Sequence, residues 1–79
     1  MLITVKLYAG LRQFGPQTQA GEGFQRAVPD GCSVDQLLEL LGVPGNAPLV
    51  AMVNQTVVFL QHELAEGDVV CLFPPVAGG

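Results

Sequence analysis

"DGCSVDQLLELLGVPG", residues 30–45, is the stretch that decides the fold, because it contains the clearest helix signal in the chain. Ser33 occupies the N-cap position and Gln36 follows three residues later, which is the spacing of a capping box. Gly42 and Pro44 end the helix. Apolar residues recur at i, i+3, i+4 and i+7, as Val34, Leu37, Leu38 and Leu41. A helix with one such stripe needs a sheet to cover it.

Two segments with a strand pattern precede the helix. LITVKLY, residues 2–8, alternates as a half-buried strand does. One of its faces carries Ile3, Val5 and Leu7, and the other carries Thr4, Lys6 and Tyr8. FQRAVP, residues 24–29, predicts a second strand that pairs with the first in a hairpin. The stretch at 14–23 is rich in glycine and polar residues and predicts the loop between them.

Three further strands are predicted after the helix. Residues 49–53 and 57–60 flank a turn at Asn54-Gln55, and VVCLFP, residues 69–74, follows a turn at 66–68. Proline lacks the N–H that a sheet requires, so the two prolines at 74–75 end the last strand. The order β-β-α-β-β-β predicts an α+β domain with the helix on one face of the sheet.

Length and charge restrict the class of function. A chain of 79 residues, 49% hydrophobic and 13% charged, predicts one small folded domain rather than a disordered chain. Such a domain has little room for both a core and a deep pocket, which favours a surface function. The net charge is −4, and Lys6, Arg12 and Arg26 do not form a basic face. Nucleic acid is therefore not expected as a partner.

No catalytic or metal-binding set emerges from the titratable residues. His62 beside Glu63 in a polar turn has no nucleophile at a motif spacing. Cys32 and Cys71 are too far apart for a CxxC motif, and with one histidine they do not complete a zinc site. Cys32 precedes the helix N-terminus, where a thiol pKa can fall, but we expect a structural role. We expect no metal.

The chain lacks a basic N-terminal leader and any apolar run of membrane-spanning length. Together these predict a cytoplasmic protein with reduced thiols.

The last seven residues, FPPVAGG at 73–79, raise a different possibility. Prolines 74 and 75 hold the following residues extended, so 74–79 predicts a flexible extended tail reaching about 20 Å. Gly78 and Gly79 have no side chains, so the tail fits a channel too narrow for any Cβ. It would present the Gly79 carboxylate to another protein's active site.

A carboxylate is inert until it is activated. Activation by ATP gives an acyl-adenylate, from which a sulfur nucleophile displaces AMP and leaves a thiocarboxylate. The tail would then be a substrate, and the catalytic groups would belong to partner proteins, so no catalytic residue is expected in this chain.

Residues 49–79, LVAMVNQTVVFLQHELAEGDVVCLFPPVAGG, resemble the C-terminal half of the small subunits of molybdopterin synthase, within the MoaD/ThiS family of ubiquitin-like sulfur carriers. The VNQ turn, the L-x-x-GD turn and FPPVAGG match in order and spacing. VKLYAGLRQF, residues 5–14, and the capped helix at 33–42 fit the same pattern. The resemblance therefore covers essentially the whole chain.

This resemblance implies a β-grasp, ubiquitin-like fold, with a mixed sheet of about five strands and residues 1–79 as one sulfur-carrier domain. It implies that an ATP-dependent activating enzyme, similar to those that activate ubiquitin, adenylates Gly79, which then becomes a thiocarboxylate. The carrier would dock on the large subunit of molybdopterin synthase and donate sulfur to cyclic pyranopterin (precursor Z). No cofactor would be bound to the chain, since ATP is used by the activating enzyme.

The family's hydrophobic partner contacts map onto Tyr8, Val57 and Phe73, on the sheet face that the helix leaves uncovered. The tail-threading positions are Ala77 and Gly78, and the remaining predicted partner-binding residues are Pro74, Pro75 and Arg12. Two alternatives remain at this stage: the three hydrophobic residues pack in a small core, and Arg12 is solvated.

Other functions within the fold also remain. They are sulfur carriage for thiamine, cysteine or tRNA thiolation, a small protein modifier, and a ubiquitin-like interaction module with an inert tail.

Overall fold

A computed structural model describes residues 1–16 and 22–75 of the chain. The strands are β1 (Leu2–Leu7), β2 (Phe24–Ala27), β3 (Val50–Val53), β4 (Thr56–Val58) and β5 (Val69–Phe73). The helices are α1 (Val34–Leu41) and a 3₁₀ helix (Ala9–Phe14). Within the described part of the chain, no helix is long and apolar enough to cross a membrane.

The strands form one sheet in the order β2-β1-β5-β3-β4. β1 and β5 run parallel in its centre, and the other neighbours pair antiparallel. The sheet is therefore mixed, and the expected hairpin of β1 and β2 is confirmed. Since α1 lies on one side of this sheet, the architecture is the α+β arrangement that the sequence predicts, and it agrees with the β-grasp fold that the resemblance implies.

α1 begins and ends where its capping signals predict. The Gln36 backbone N–H donates to the Ser33 hydroxyl at 3.2 Å, and the Ser33 N–H donates to the Gln36 side-chain oxygen at 3.0 Å. Both bonds of the capping box are thus present. At the other end, Gly42 adopts a left-handed conformation with φ of 84°, where a Cβ would be strained.

The hydrophobic core lies between α1 and one face of the sheet. Val34 and Leu37 of the helix are completely buried, and Leu38 is nearly so. They face a set of strand side chains that are at most 5% exposed, namely Ile3, Val5, Leu7, Ala51, Val53, Val70 and Leu72. We call this strand set the covered face. Its alternation along each strand means that the residues between its members point away from the helix.

Several details of the fold differ from the sequence prediction, which also placed the ends of β2 and β5 one or two residues too late. The 3₁₀ helix at Ala9–Phe14 was not predicted, and its buried residue, Leu11, joins the core. β4 spans Thr56–Val58 rather than 57–60. Its early end has a physical reason: the carbonyls of Leu60 and His62 accept the Asp35 and Val34 N–H groups, at 2.8 and 3.0 Å. These bonds draw the chain from the sheet edge to the helix N-terminus, where donors lack partners within the helix.

Candidate functional site: the open face of the sheet

The second face of the sheet has no helix against it among the described residues. The strand register defines this open face by cross-strand neighbours, because residues paired directly across a ladder share a face. Lys6 lies opposite Cys71, Cys71 opposite Met52, and Met52 opposite Val57, so one row crosses four strands. A second row pairs Phe73 with Val50, and a third pairs Val69 with Thr4. Most of these side chains are apolar and half-buried.

An aromatic pair lies at one end of the open face. The rings of Tyr8 and Phe73 have centroids 4.9 Å apart and planes inclined by 31°, a tilted contact at a distance typical of favourable aromatic pairs. The Tyr8 backbone N–H donates to the Leu72 carbonyl at 3.1 Å, which holds the end of β1 against β5. Phe73 is the last residue of β5 and precedes Pro74 directly. The pair therefore lies where the predicted tail leaves the sheet.

Val57 lies at the far edge of the same face and is 65% exposed. Tyr8 and Phe73 are half-buried, and none of the three belongs to the buried core. The three residues therefore do not pack inside the core, and that alternative is wrong. Their part in binding stays a prediction.

Sequence reasoning missed two residues between these positions. Val50 and Met52 alternate with buried Ala51 and Val53, and they join Phe73 and Val57 into one apolar strip. The segment at 49–53 is apolar throughout, so polarity did not distinguish its two faces. The strand register supplies that information, by placing Met52 opposite Cys71 and Val57.

The other predicted contact residues have different environments. Arg12 is exposed and lies in the 3₁₀ helix. Pro74 and Pro75 are exposed and follow β5 outside any strand or helix. Ala77, Gly78 and Gly79 lie outside the described residues, so the structure does not place the predicted acyl group.

The two turn motifs that carried the resemblance form a hydrogen-bonded clamp. The Asn54 side-chain oxygen accepts the Val69 N–H at 2.9 Å, and its amide nitrogen donates to Asp68 at 2.9 Å. The second carboxylate oxygen of Asp68 accepts the Ala65 N–H at 2.8 Å. Asn54 has φ of 50°, a left-handed conformation that asparagine tolerates better than most residues. The motifs thus fix where β5 begins and, with it, which β5 residues face outward.

The cysteines have distinct environments. Cys32 is buried, and burial raises the pKa of its thiol, so the lowered pKa that a helix N-terminus can produce is not found. Cys71 is a free thiol on the open face. Burial raises the pKa of the Tyr8 phenol, and the adjacent Cys71 adds to this rise. Over residues 1–16 and 22–75, no three His, Cys, Asp or Glu side chains group as a metal site.

The model of the ThiS family matches residues 5–79 of this chain. The chain belongs to the ThiS family. One curated protein similar to this chain is the molybdopterin synthase sulfur carrier subunit of Escherichia coli (strain K12). The two sequences are 58% identical over 31 residues. That alignment spans 39% of this chain and 38% of the relative's length.

Solved structures from several organisms share the fold of this ThiS-family chain. One is a putative molybdopterin converting factor, subunit 1, from Pyrococcus furiosus, with 27% identity and a TM-score of 0.71 over 95% of this chain and 98% of the other. Another is from the complex of subunits 1 and 2 of the molybdopterin-converting factor of Helicobacter pylori 26695, with 22% identity and a TM-score of 0.64 over the full length of both chains. Together with the observed topology, they establish the β-grasp fold.

Proposed function

We propose that this chain is the sulfur carrier subunit of a molybdopterin synthase, and that it carries sulfur as a thiocarboxylate on Gly79. The observation that carries the proposal is the 58% identity to the Escherichia coli sulfur carrier subunit, within a family match over residues 5–79. The FPPVAGG sequence at 73–79 supports it, since an unhindered glycine acyl group suits attack at its carbonyl.

The proposed chemistry has two activation steps. The Gly79 carboxylate attacks the α-phosphorus of ATP on an activating enzyme, and pyrophosphate leaves. Sulfide-level sulfur then attacks the acyl carbon and AMP leaves, which forms the thiocarboxylate. The thiocarboxylate sulfur then attacks a carbon of the pterin precursor and displaces an oxygen substituent, and one water hydrolyses the acyl–sulfur bond, which restores the carboxylate. Each chain delivers one sulfur, so the two sulfurs of the dithiolene need two deliveries.

Docking is proposed to use the open face. Apolar, half-buried side chains with an aromatic pair are the composition found in the cores of protein interfaces, where aromatic residues and methionine are enriched and most charges are depleted. Phe73 ends β5, so a partner seated on this face would be close to the point where the tail begins. The Helicobacter pylori complex is between subunits 1 and 2 of its own converting factor, which supports a large subunit as the partner.

The proposed function does not require this chain to have an active site. The residues that the structure describes contain no grouped metal ligands, and sequence reasoning found no nucleophile with a base. The activating enzyme and the large subunit would supply the catalytic groups. The chain would contribute a rigid docking face and a reactive end.

A reconstitution tests the proposal, including the identity of the acceptor. The thiocarboxylated chain is mixed with the large subunit from the same organism and cyclic pyranopterin, and sulfur on the chain and dithiolene in the pterin are followed together. We expect sulfur to leave the chain as the dithiolene forms. A chain that accepts sulfur but releases none to the pterin would contradict this assignment and favour a carrier for another thiolation pathway.

A further inference from the structure

A groove on the open face is lined by a charged residue that does not belong to the apolar strip. The groove is about 530 Å³ in volume and is lined by Lys6, Tyr8, Asn54, Gln55, Val69 and Cys71. Lys6 is the one charged side chain in this lining. It belongs to the row that continues through Cys71 and Met52 to Val57, so Lys6 lies in β1 beside the proposed docking strip.

The Lys6 side chain is held in place along its stem. A Cβ built on Gly23 would lie 3.3 Å from Lys6 Cγ and 3.5 Å from its Cε. The glycine therefore leaves space in which the apolar part of the lysine packs against the neighbouring backbone. Lysines commonly cover apolar surface with their stems while the ammonium stays in water. Here the lysine is half-buried, and it is one of the residues that line the groove.

Over residues 1–16 and 22–75, the structure shows no ion pair to Lys6. The ion pair found there joins the N-terminal amine to Asp30. Asp68, which borders the groove-lining Asn54 and Val69, accepts hydrogen bonds from Asn54 and Ala65 instead. A phenol is already neutral at neutral pH, and burial raises the pKa of Tyr8 further, so no phenolate faces the ammonium.

Docking of a partner would change the solvation free energy of the Lys6 ammonium. A partner that covers the strip also removes water from the groove beside it, and an ammonium that loses water without gaining an anion is strongly destabilised. A carboxylate in the groove offsets that loss. A nucleic-acid phosphate does not fit the same surface, because the chain has a net charge of −4 and repels a polyanion.

We infer that Lys6 is a specificity-determining contact, which binds an aspartate or glutamate side chain of the protein partner in the groove between Tyr8, Cys71 and the 54–55 turn. This inference rests on the proposed function, since it requires that the open face docks a partner. It adds a polar requirement to a surface that is otherwise apolar: a partner with an apolar patch but no carboxylate at this position is rejected.

Binding measurements with charge variants test this inference. The probe is the large subunit of molybdopterin synthase from the same organism, titrated with wild-type chain, Lys6→Gln and Lys6→Glu. We expect Lys6→Gln to weaken binding roughly 30-fold, as truncation of one member of a desolvated charge pair does, and Lys6→Glu to weaken it further. Arg26→Gln is the matched control, because it removes the same charge at β2, where the guanidinium donates to the Leu40 carbonyl at 3.2 Å.

A second measurement separates direct pairing from misfolding or net charge. Melting temperatures show whether each variant folds, and Lys6→Met preserves the apolar stem while removing the ammonium. Acidic residues of the large subunit are then changed one at a time to lysine. We expect one such change to restore binding of Lys6→Glu, which neither a folding defect nor a change in net charge explains.

The outcomes distinguish the inference from the proposed function. If wild-type chain binds and Lys6→Gln binds within about threefold of it, as for an exposed rim charge, the assignment of Lys6 is wrong while docking stands. Equal weakening by Lys6→Gln and Arg26→Gln also overturns the assignment, in favour of long-range attraction. If wild-type chain binds neither the large subunit nor the activating enzyme, the proposed function fails and the assignment of Lys6 with it.

Discussion

The two faces of the sheet use similar residue types in different ways. Leu72 and Phe73 are neighbours in β5, yet Leu72 is completely buried under α1 and Phe73 lies half-buried on the open face. On the covered face, apolar side chains meet a helix and stabilise the fold. On the open face, apolar side chains meet one another and are left accessible. The comparison teaches that apolar composition alone does not distinguish a buried face of a sheet from an open one.

An apolar sheet face that no helix covers within residues 1–16 and 22–75 needs an explanation in so small a domain. Small domains bury a smaller fraction of their surface than large ones, so each apolar group left outside the core reduces a modest stability. Contiguous exposed apolar surface on a small protein indicates an interaction site. This supports the proposal that the open face docks a partner.

Leu72→Ala is the largest expected effect and acts on the covered face. Removing a fully buried leucine should lower the free energy of unfolding by about 2–5 kcal/mol, and the melting temperature by roughly 10 °C or more. Thermal unfolding followed by circular dichroism measures this. Leu40→Ala on the exposed side of α1 is the control, since Leu40 is 44% exposed. Equal losses from the two changes would contradict the assignment of the core.

Phe73→Ala should show the opposite balance between stability and binding. It removes the ring that contacts Tyr8, so we expect about 1 kcal/mol lost in unfolding free energy but an increase of about 30-fold in the Kd for the large subunit. Calorimetric titration beside a melting curve gives both numbers. A fall in melting temperature with unchanged affinity would place Phe73 among the core residues instead.

Asn54→Ala probes what keeps the two faces distinct. The Asn54–Asp68 clamp sets the start of β5, and a slip of one residue would exchange the inward and outward side chains. We expect a loss of about 1.5 kcal/mol in unfolding free energy, from the lost hydrogen bonds and the strained φ. Asn54→Gly keeps the backbone conformation and should lose less. If the two variants are equally stable, backbone strain at this turn is not significant.

Gly78→Ala has the smallest expected effect, and it acts on neither face. We expect adenylation to be about tenfold slower, because the added Cβ obstructs the proposed narrow channel. This corresponds to an activation barrier higher by about 1.4 kcal/mol. The rate of ATP-dependent pyrophosphate release measures this, with the melting temperature as a check on folding. Ala77→Gly is the control and should react at the wild-type rate. Normal adenylation of the alanine variant would show that the narrow-channel argument is wrong.

Much of the covered face was predictable from the sequence, because its signals are local. The Ser33–Gln36 capping box and the alternation of residues 2–8 each depend on neighbours a few residues apart. The structure confirms both, together with the left-handed Gly42 that ends the helix. These patterns report which side of each element meets the core.

The open face was predicted less completely, because the strand register decides which of its residues are neighbours. The assignment of Lys6 and Tyr8 to one face followed from alternation, but their nearness to Cys71 and Phe73 depends on β1 pairing parallel with β5. Lys6 and Cys71 are more than sixty residues apart in the sequence, and no local pattern predicts that such distant strands pair. The 3₁₀ helix was missed for a related reason. Of its residues, only Leu11 is buried, which makes no periodic signal.

The most direct test of sulfur carriage is the intact mass of the chain after incubation with ATP, a sulfide source and its activating enzyme. The proposal predicts a gain equal to the replacement of one oxygen by sulfur, and no gain in a variant that lacks Gly79. An unchanged mass, with the same enzyme active on a known carrier, would contradict the proposal. The chain would then be a β-grasp interaction module whose open face binds partners without any sulfur chemistry.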